Sequence, residues 1–381
     1  MGSVMIVAGE ASADLHGAAL VAELKRRMPD LSLWGAGGDA MVERGFEAVV
    51  PAQALAVAGL TEVLLALPRL LGAMRHLVDL GRTRLPDVIV LIDLPDFNLR
   101  LAKRLKGLGI PIVYYVSPQL WAWRPRRVRQ IRQRISKMLC ILPFEIPFYR
   151  RHNVPAQFVG HPLVELLRNP PERQQARRGL GLDEGFGPVL ALLPGSRYKE
   201  VSRHLPIMLD GVGILRHRFP DLQVVIPAAN TIPHQLVEQL VQASGVEAQI
   251  TQGQATECLA AADVAVVCSG TATLQAALVG RPMVVVYRVS WLTFFILKRL
   301  VKVAYIALVN LVAGRRLVPE LIQSQFTAKA VDTEVGVLLS DSAARVRLAT
   351  ELRSLRDDLD GGDPAVHVAN VVCHYLKTAK A

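Results

Sequence analysis

The chain has 381 residues, 44 Lys or Arg against 33 Asp or Glu, a formal net charge of +11 and 51% apolar residues. With 20% charged residues and only 28 Gly and 23 Pro, a disordered or collagen-like chain is excluded, as is an acidic cytosolic enzyme, and the length predicts two or three domains with sizeable cores. The positive excess is local: residues 97–144 carry 11 Lys or Arg and 264–319 carry seven, both without an acid, leaving −7 elsewhere. Such islands point to phosphates or an anionic surface rather than to general basicity.

The chain opens on the apolar run 4–8, too short and too weakly flanked for a signal peptide, and lacks the Ser or Thr at position six that myristoylation needs. Cys140, Cys258, Cys268 and Cys373 show neither C-x-x-C spacing nor a disulfide framework, so the expectation is a cytoplasmic, unprocessed protein with buried thiols and no metal site. β-Branched runs at 4–8, 88–92, 112–116, 138–142, 189–193, 224–226, 264–267 and 283–287 alternate with helical patterns, the signature of parallel α/β sheets. The His-Pro and Pro-Pro pairs within 158–171 mark a break between two such series. The expected architecture is α/β, two doubly wound Rossmann-like domains facing a cleft, spanning 1–165 and 166–340, with 341–381 as a helical segment packing back on the first. Two long apolar stretches, 53–80 and 291–312, are interrupted by Glu62, Pro68 and Arg69 and by Lys298, Arg299 and Lys302, so neither reads as a transmembrane helix. The second, alternating cations with bulky apolar residues, reads equally as a surface lying on anionic lipid or as a core helix with snorkelling cations.

Chemistry-bearing residues gather where strands end and helices begin. GEASADLHG (9–17) places Glu10 toward the cleft, with Ser12 or Asp14 as a helix cap. In DLPDFN (93–98), Asp93 emerges from an apolar strand, where desolvation raises its pKa and suits it to be a general base, while Asp96 is the better-placed cap. Residues 114–134 set aromatics beside arginines, but no nucleic-acid-binding signature accompanies them, so no nucleic-acid partner is expected. Gly35-Ala36-Gly37-Gly38 lacks a full dinucleotide fingerprint. In the second half, LLPGSR (192–197) and CSGTA (268–272) each combine a strand, a Gly turn and a helix start with hydroxyls, one of them with Arg197, making a diphosphate cradle without a Walker loop.

Those motifs, together with YVSPQLWAWRPRRV (115–128), LPFE (142–145), FVGHPL (158–163), RPMVVVYR (281–288) and LVNLVAGRRLVPELIQ (308–323), resemble in order those of the bacterial lipid-A-disaccharide synthases, from residue 9 to about 323. The resemblance implies the GT-B fold and an inverting, metal- and cofactor-independent hexosyl transfer. UDP-2,3-diacylglucosamine would be the donor, 2,3-diacylglucosamine 1-phosphate the acceptor, and the products a β-1,6-linked lipid A disaccharide 1-phosphate and UDP. It implies Asp93 as base assisted by Glu10, and donor contacts from Ser196, Arg197, Glu200, Ser269, Gly270, Thr271, Gln275 and Asn310. Ser12, Asp96, Asn98, Ser117, Trp121, Trp123 and Arg124 would bind or position the acceptor. Gln275 stands where many members have Glu, so a neutral hydrogen bond would replace an ionic ribose contact. The resemblance further implies peripheral association with the anionic cytoplasmic face of the inner membrane and, by analogy, a homodimer. Two other readings stand beside it: a UDP-N-acetylglucosamine 2-epimerase or other UDP-sugar GT-B enzyme, and a non-enzymatic membrane or nucleic-acid binder.

Overall fold

The computed structural model describes residues 2–55, 60–123, 127–182, 185, 187–291, 294–295 and 303–378. Two compact units are present: Met1–Pro162 with Leu359–Ala381, and Leu163–Asp358. Ser342–Asp358 of the helix Ser342–Leu359 belong to the second unit.

The first unit is a seven-stranded parallel sheet in the order β3-β2-β1-β4-β5-β6-β7. Its strands are β1 (Ser3–Ala8), β2 (Ser32–Gly37), β3 (Glu47–Pro51), β4 (Val88–Ile92), β5 (Ile112–Tyr115), β6 (Lys137–Cys140) and β7 (Ala156–Phe158). Alternation along each strand divides the core into two layers. Met5, Val7, Ile89 and Leu91 face one layer, shared with α3 (Leu60–Arg84), α4 (Pro95–Leu105) and α6 (Val128–Arg134). Val4, Ile6, Ala8, Val88 and Val90 face the other, shared with α1 (Ala11–Arg27). The C-terminal helix Pro364–Thr378 closes this second layer with Val368, Val372 and Leu376, a stripe at i, i+4 and i+8. Burial of each contributes roughly 1.5–3 kcal/mol, so the last segment of the chain completes the first unit's core.

The second unit holds a six-stranded parallel sheet, β10-β9-β8-β11-β12-β13. Its strands are β8 (Val189–Leu193), β9 (Gln223–Ala228), β10 (Gln249–Gln252), β11 (Val264–Cys268), β12 (Met283–Tyr287) and β13 (Glu320–Ile322). Helices α10 (Tyr198–Leu215) and α13 (Thr271–Val279) follow β8 and β11. In each sheet the strand order reverses once, between β1 and β4 and between β8 and β11. In doubly wound sheets the crevice at such a reversal, beyond the strands' C-terminal ends, is where ligands bind.

Candidate active site

The four strand ends that flank the two reversals carry the motifs that sequence reading singled out. After β1 come Gly9 and Glu10; after β4 come Asp93 and Leu94. A Cβ on Gly9 would lie 2.6 Å from Leu94 Cδ2 and 2.9 Å from Leu55 Cβ, so any side chain there would have to displace both leucines packed over the turn. Glu10 occupies the N-cap of α1, makes no side-chain cap bond and is exposed. Its carboxylate is close enough to act on Asp93, whose pKa is pushed up to about 6, first by desolvation and then by Glu10, against a lowering hydrogen bond from the Leu94 N–H.

The backbone beneath Asp93 is strained. Asp93 and Leu94 sit at φ 49° and 47°, and Val116, at the end of β5, at 65°, all unfavourable for L-residues and steepest for β-branched valine. Two buried side chains hold this shape: Asn98 Nδ2 donates to Ile92 O (3.2 Å) and Asp93 O (2.8 Å), and the Tyr114 hydroxyl donates to Asp93 O. Asn98 is fully buried, so it shapes the Asp93 turn rather than meeting an acceptor. Nor does Asp96 cap α4. Leu94 takes the N-cap with Pro95 behind it, and Asp96, exposed in the first turn, accepts from Arg127 Nη1 at 2.7 Å. Ser12 is exposed one residue into α1 and is not its cap. Asp14 is buried and caps a different helix, α2 (Asp39–Val42), accepting from Gly38 N (2.7 Å) and Ala40 N (3.1 Å), which accounts for the glycine-rich stretch.

Ser117 and Trp121 join the segment after β5 to α7 (Glu145–Arg151). Ser117 Oγ lies 2.8 Å from Tyr149 Oη, and Trp121 Nε1 donates to Glu145 Oε1 at 3.0 Å, its ring edge-on to Phe144. Glu145 is buried, and desolvation pushes its pKa up to about 8 despite that hydrogen bond, so it is a neutral acid at pH 7. Sequence reading quoted Glu145 within a motif but gave it no role. Trp123 ends α5 (Leu120–Trp123), and Arg124 lies outside the described residues.

In the second unit the two helix starts differ. Arg197 is the N-cap of α10, and Glu200 completes a capping box. Its carboxylate accepts from Ser196 N (3.2 Å), Arg197 N (3.3 Å) and Arg197 Nη1 (2.9 Å). Glu200 thus fills the anion position at the helix start instead of presenting itself to a ligand. The Arg197 side chain stays 80% exposed. Thr231 Oγ1 donates to Ser196 O at 2.6 Å, and His204, fully buried, ties Pro194 O (2.9 Å) to the Arg288 backbone (3.0 Å); sequence reading missed both supports.

At α13 the N-cap is Gly270 at φ 150°, with no side-chain cap. Ser269 Oγ donates instead to Ile306 O at 3.0 Å, and Thr273 Oγ1 to Gly270 O at 2.8 Å, so the exposed first turn at Thr271 keeps N–H groups for an anion. Both Arg197 and Glu200 act electrostatically on Cys268, the residue before Ser269, which places the two helix starts beside one another. Gln275 Nε2 donates to Thr256 Oγ1 at 2.9 Å. Asn310 is fully buried with its amide saturated: Nδ2 donates to Val318 O and Glu320 Oε1, and Oδ1 accepts from Leu317 N and Val318 N. Glu320 in turn accepts from Ile306 N and Ala307 N. Asn310 therefore organises the chain behind Ser269 and has no donor or acceptor left for a nucleotide.

A family model described as lipid-A-disaccharide synthetase matches residues 4–359. The lipid-A-disaccharide synthase of Myxococcus xanthus is 45% identical over 98% of this chain and 97% of its own, and that of Anaeromyxobacter dehalogenans 47% over the same shares. Among solved structures, a UDP-GlcNAc 2-epimerase from Neisseria meningitidis bound to UDP-GlcNAc aligns with TM-score 0.66 at 10% identity, over 98% of this chain and 100% of that one. The calicheamicin glycosyltransferase CalG4 aligns with TM-score 0.58 at 15% identity, over 99% and 98%. These likenesses show the GT-B type of fold, while the near relatives set the epimerase and non-enzymatic readings aside. The chain belongs to the lipid-A-disaccharide synthetase family and is a hexosyltransferase of lipid A biosynthesis.

Proposed function

We propose that the protein transfers a 2,3-diacylglucosaminyl group from its UDP derivative to the 6-hydroxyl of 2,3-diacylglucosamine 1-phosphate, with inversion at the anomeric carbon. The acceptor oxygen forms the new bond to that carbon as the bond to the diphosphate oxygen breaks, UDP leaves with the electron pair, and the hydroxyl proton passes to Asp93. The observation that carries this reading is Asp93 itself: a desolvated acid at the reversal of the first sheet, with a pKa near 6 that leaves it ionised and basic at neutral pH. Desolvation sets most of that rise and Glu10 adds to it. Ser12, on the exposed start of α1, offers a hydroxyl for orienting the acceptor. Arg197 and the open start of α13 at Gly270 and Thr271 meet the charge that develops on the departing diphosphate without reorganising. Ser117 and Trp121 act by holding the chain after β5 in place.

The acyl chains and the membrane surface call for apolar area. Leu67 and Leu71 on α3 are 40% and 38% exposed, and Trp291, 76% exposed, stacks on Phe295. Most of the remaining 291–302 segment lies outside the described residues. Among the described residues no helix is long and apolar enough to cross a membrane. These side chains support peripheral association with the cytoplasmic face of an anionic membrane. Incubating the purified protein with both diacylated sugars should release UDP and a disaccharide 1-phosphate; absence of both products, with folded protein, overturns the reading.

A further inference from the structure

Outside the strand ends, basic side chains of the first unit line a groove of about 510 Å³ between α4 and α6. That volume is within the range of small-molecule sites. Arg100, Lys103 and Arg104 form one wall at i, i+3 and i+4 of α4; Arg127 and Arg134, at the two ends of α6, line the other. Asp96 at one end is the single acid in the lining, so the groove carries five cations against one carboxylate. Arg127 takes that carboxylate. Arg134 is half-buried and bonded only to neutral acceptors, Leu99 O and Gln130 Oε1, and burial lowers its pKa because no anion offsets the lost hydration. Arg100, Lys103 and Arg104 are exposed and have no acid partner among the described residues.

An ordinary solvated helix face intersperses acids with its cations, as Glu23 does for Arg26 and Arg27 on α1. Here cations face one another across a concave surface, an arrangement that leaves mutual repulsion uncompensated until an anion enters. Guanidinium forks on both walls match tetrahedral phosphate oxygens. We infer that the α4–α6 groove is a binding site for phosphate-ester anions on the flank of the first unit, supplied either by anionic phospholipid headgroups or by soluble phosphate esters. The inference goes beyond the transferase reading, and its variants leave Asp93, Arg197 and the start of α13 untouched.

The experiment compares the whole protein with the triple variant Arg100→Gln, Lys103→Gln, Arg104→Gln, all exposed helix positions where glutamine preserves the helix. Flotation with phosphatidylglycerol-containing vesicles, set against pure phosphatidylcholine vesicles, reads the lipid source; the thermal shift produced by inorganic pyrophosphate and by glycerol 3-phosphate reads the soluble one. Binding to the anionic vesicles should fall about 100-fold in the variant, from roughly fivefold per neutralised charge, and should weaken with salt in the parent. A vesicle effect assigns the groove to headgroups. A shift by soluble esters, lost in the variant without a vesicle effect, assigns it to free phosphate esters. UDP binding and circular dichroism serve as folding controls, and the variant Arg100→Lys, Arg104→Lys, which keeps the charge, should bind anionic vesicles as the parent does. If parent and triple variant respond alike to both probes, the groove is not an anion site.

Discussion

The two sheet reversals are built on the same plan and furnished oppositely. In the first unit the strand ends present carboxylates, Glu10 and Asp93, on a backbone bent through three left-handed non-glycine residues, Asp93, Leu94 and Val116. In the second they present N–H groups and a guanidinium on glycine turns, Gly195 at φ 126° and Gly270 at 150°. A base needs a fixed, partly desolvated position, and the polar side chains packed under β4 and β5 supply it. A diphosphate needs donors without steric bulk, and glycine supplies that. A further contrast lies within the second unit itself: α10 is closed by its own Glu200 while α13 has no side-chain cap, so of two similar motifs only one keeps its helix start open.

The hardest test of this contrast is Asp93→Asn, which is nearly isosteric and should leave the fold intact. Turnover should fall by about two to four orders of magnitude. In the parent, Asp93 acts only when ionised, so kcat/KM should rise with pH and level off above about 6, following the raised pKa. The residual rate of the variant should lack that limb. A near-normal rate, or an unchanged limb, removes Asp93 as the base.

On the donor side, Gly270→Val forces a branched side chain onto a backbone that L-residues rarely adopt, at an expected strain of about 1–3 kcal/mol. UDP affinity should drop by roughly tenfold or more if the α13 turn holds the diphosphate. Arg197→Ala should weaken UDP binding by a smaller factor, since its guanidinium is exposed and screened. Glu200→Gln keeps the cap geometry and removes a negative charge beside the site, so UDP should bind as well as before or slightly better, as isothermal titration would show. Loss of affinity in Glu200→Gln would break the distinction between the closed and the open helix start.

How much of this was legible in the sequence depends on what each residue does. Runs such as 88–92 and 264–267 announce themselves because strands of a parallel sheet are buried on both faces. The strands Glu47–Pro51, Ala156–Phe158, Gln249–Gln252 and Glu320–Ile322 are short, partly exposed and largely at sheet edges, so their sequences carry little apolar signal. Asp93 was readable because an acid directly after a strand of five buried residues is unusual. Asn98, Glu200 and Asn310 lie in equally recognisable motifs, yet Asn98 Nδ2, the Glu200 carboxylate and the Asn310 amide all pair with backbone groups of this chain. A motif marks a place where geometry matters and does not separate the group that touches a ligand from the one that holds the turn. The long-range links, Asp14 to Gly38 and His204 to Pro194 and Arg288, join positions whose proximity only the folded sheet creates.

The last test concerns the supports rather than the reacting groups. Glu145 carries a folded pKa of about 8 against a reference value of 4.5. The folded state therefore holds a proton that the unfolded chain releases between those values, and stability declines as pH rises across that window, by up to about 1.4 kcal/mol per unit. Glu145→Gln keeps a carbonyl oxygen to accept from Trp121 Nε1 and has no proton to lose. Trp34, Trp121 and Trp123 lie in the first unit and Trp291 alone in the second, so tryptophan fluorescence during thermal unfolding follows mainly the first. At pH 5 variant and parent should unfold at similar temperatures, and by pH 8 the variant should be the more stable. In the second unit the comparable support, His204, has both ring nitrogens engaged by backbone, so a substitution there should act through lost hydrogen bonds at every pH. If Glu145→Gln is instead destabilising by the same amount at pH 5 and pH 8, Glu145 is no protonated prop, and the two units brace their strand ends in the same way.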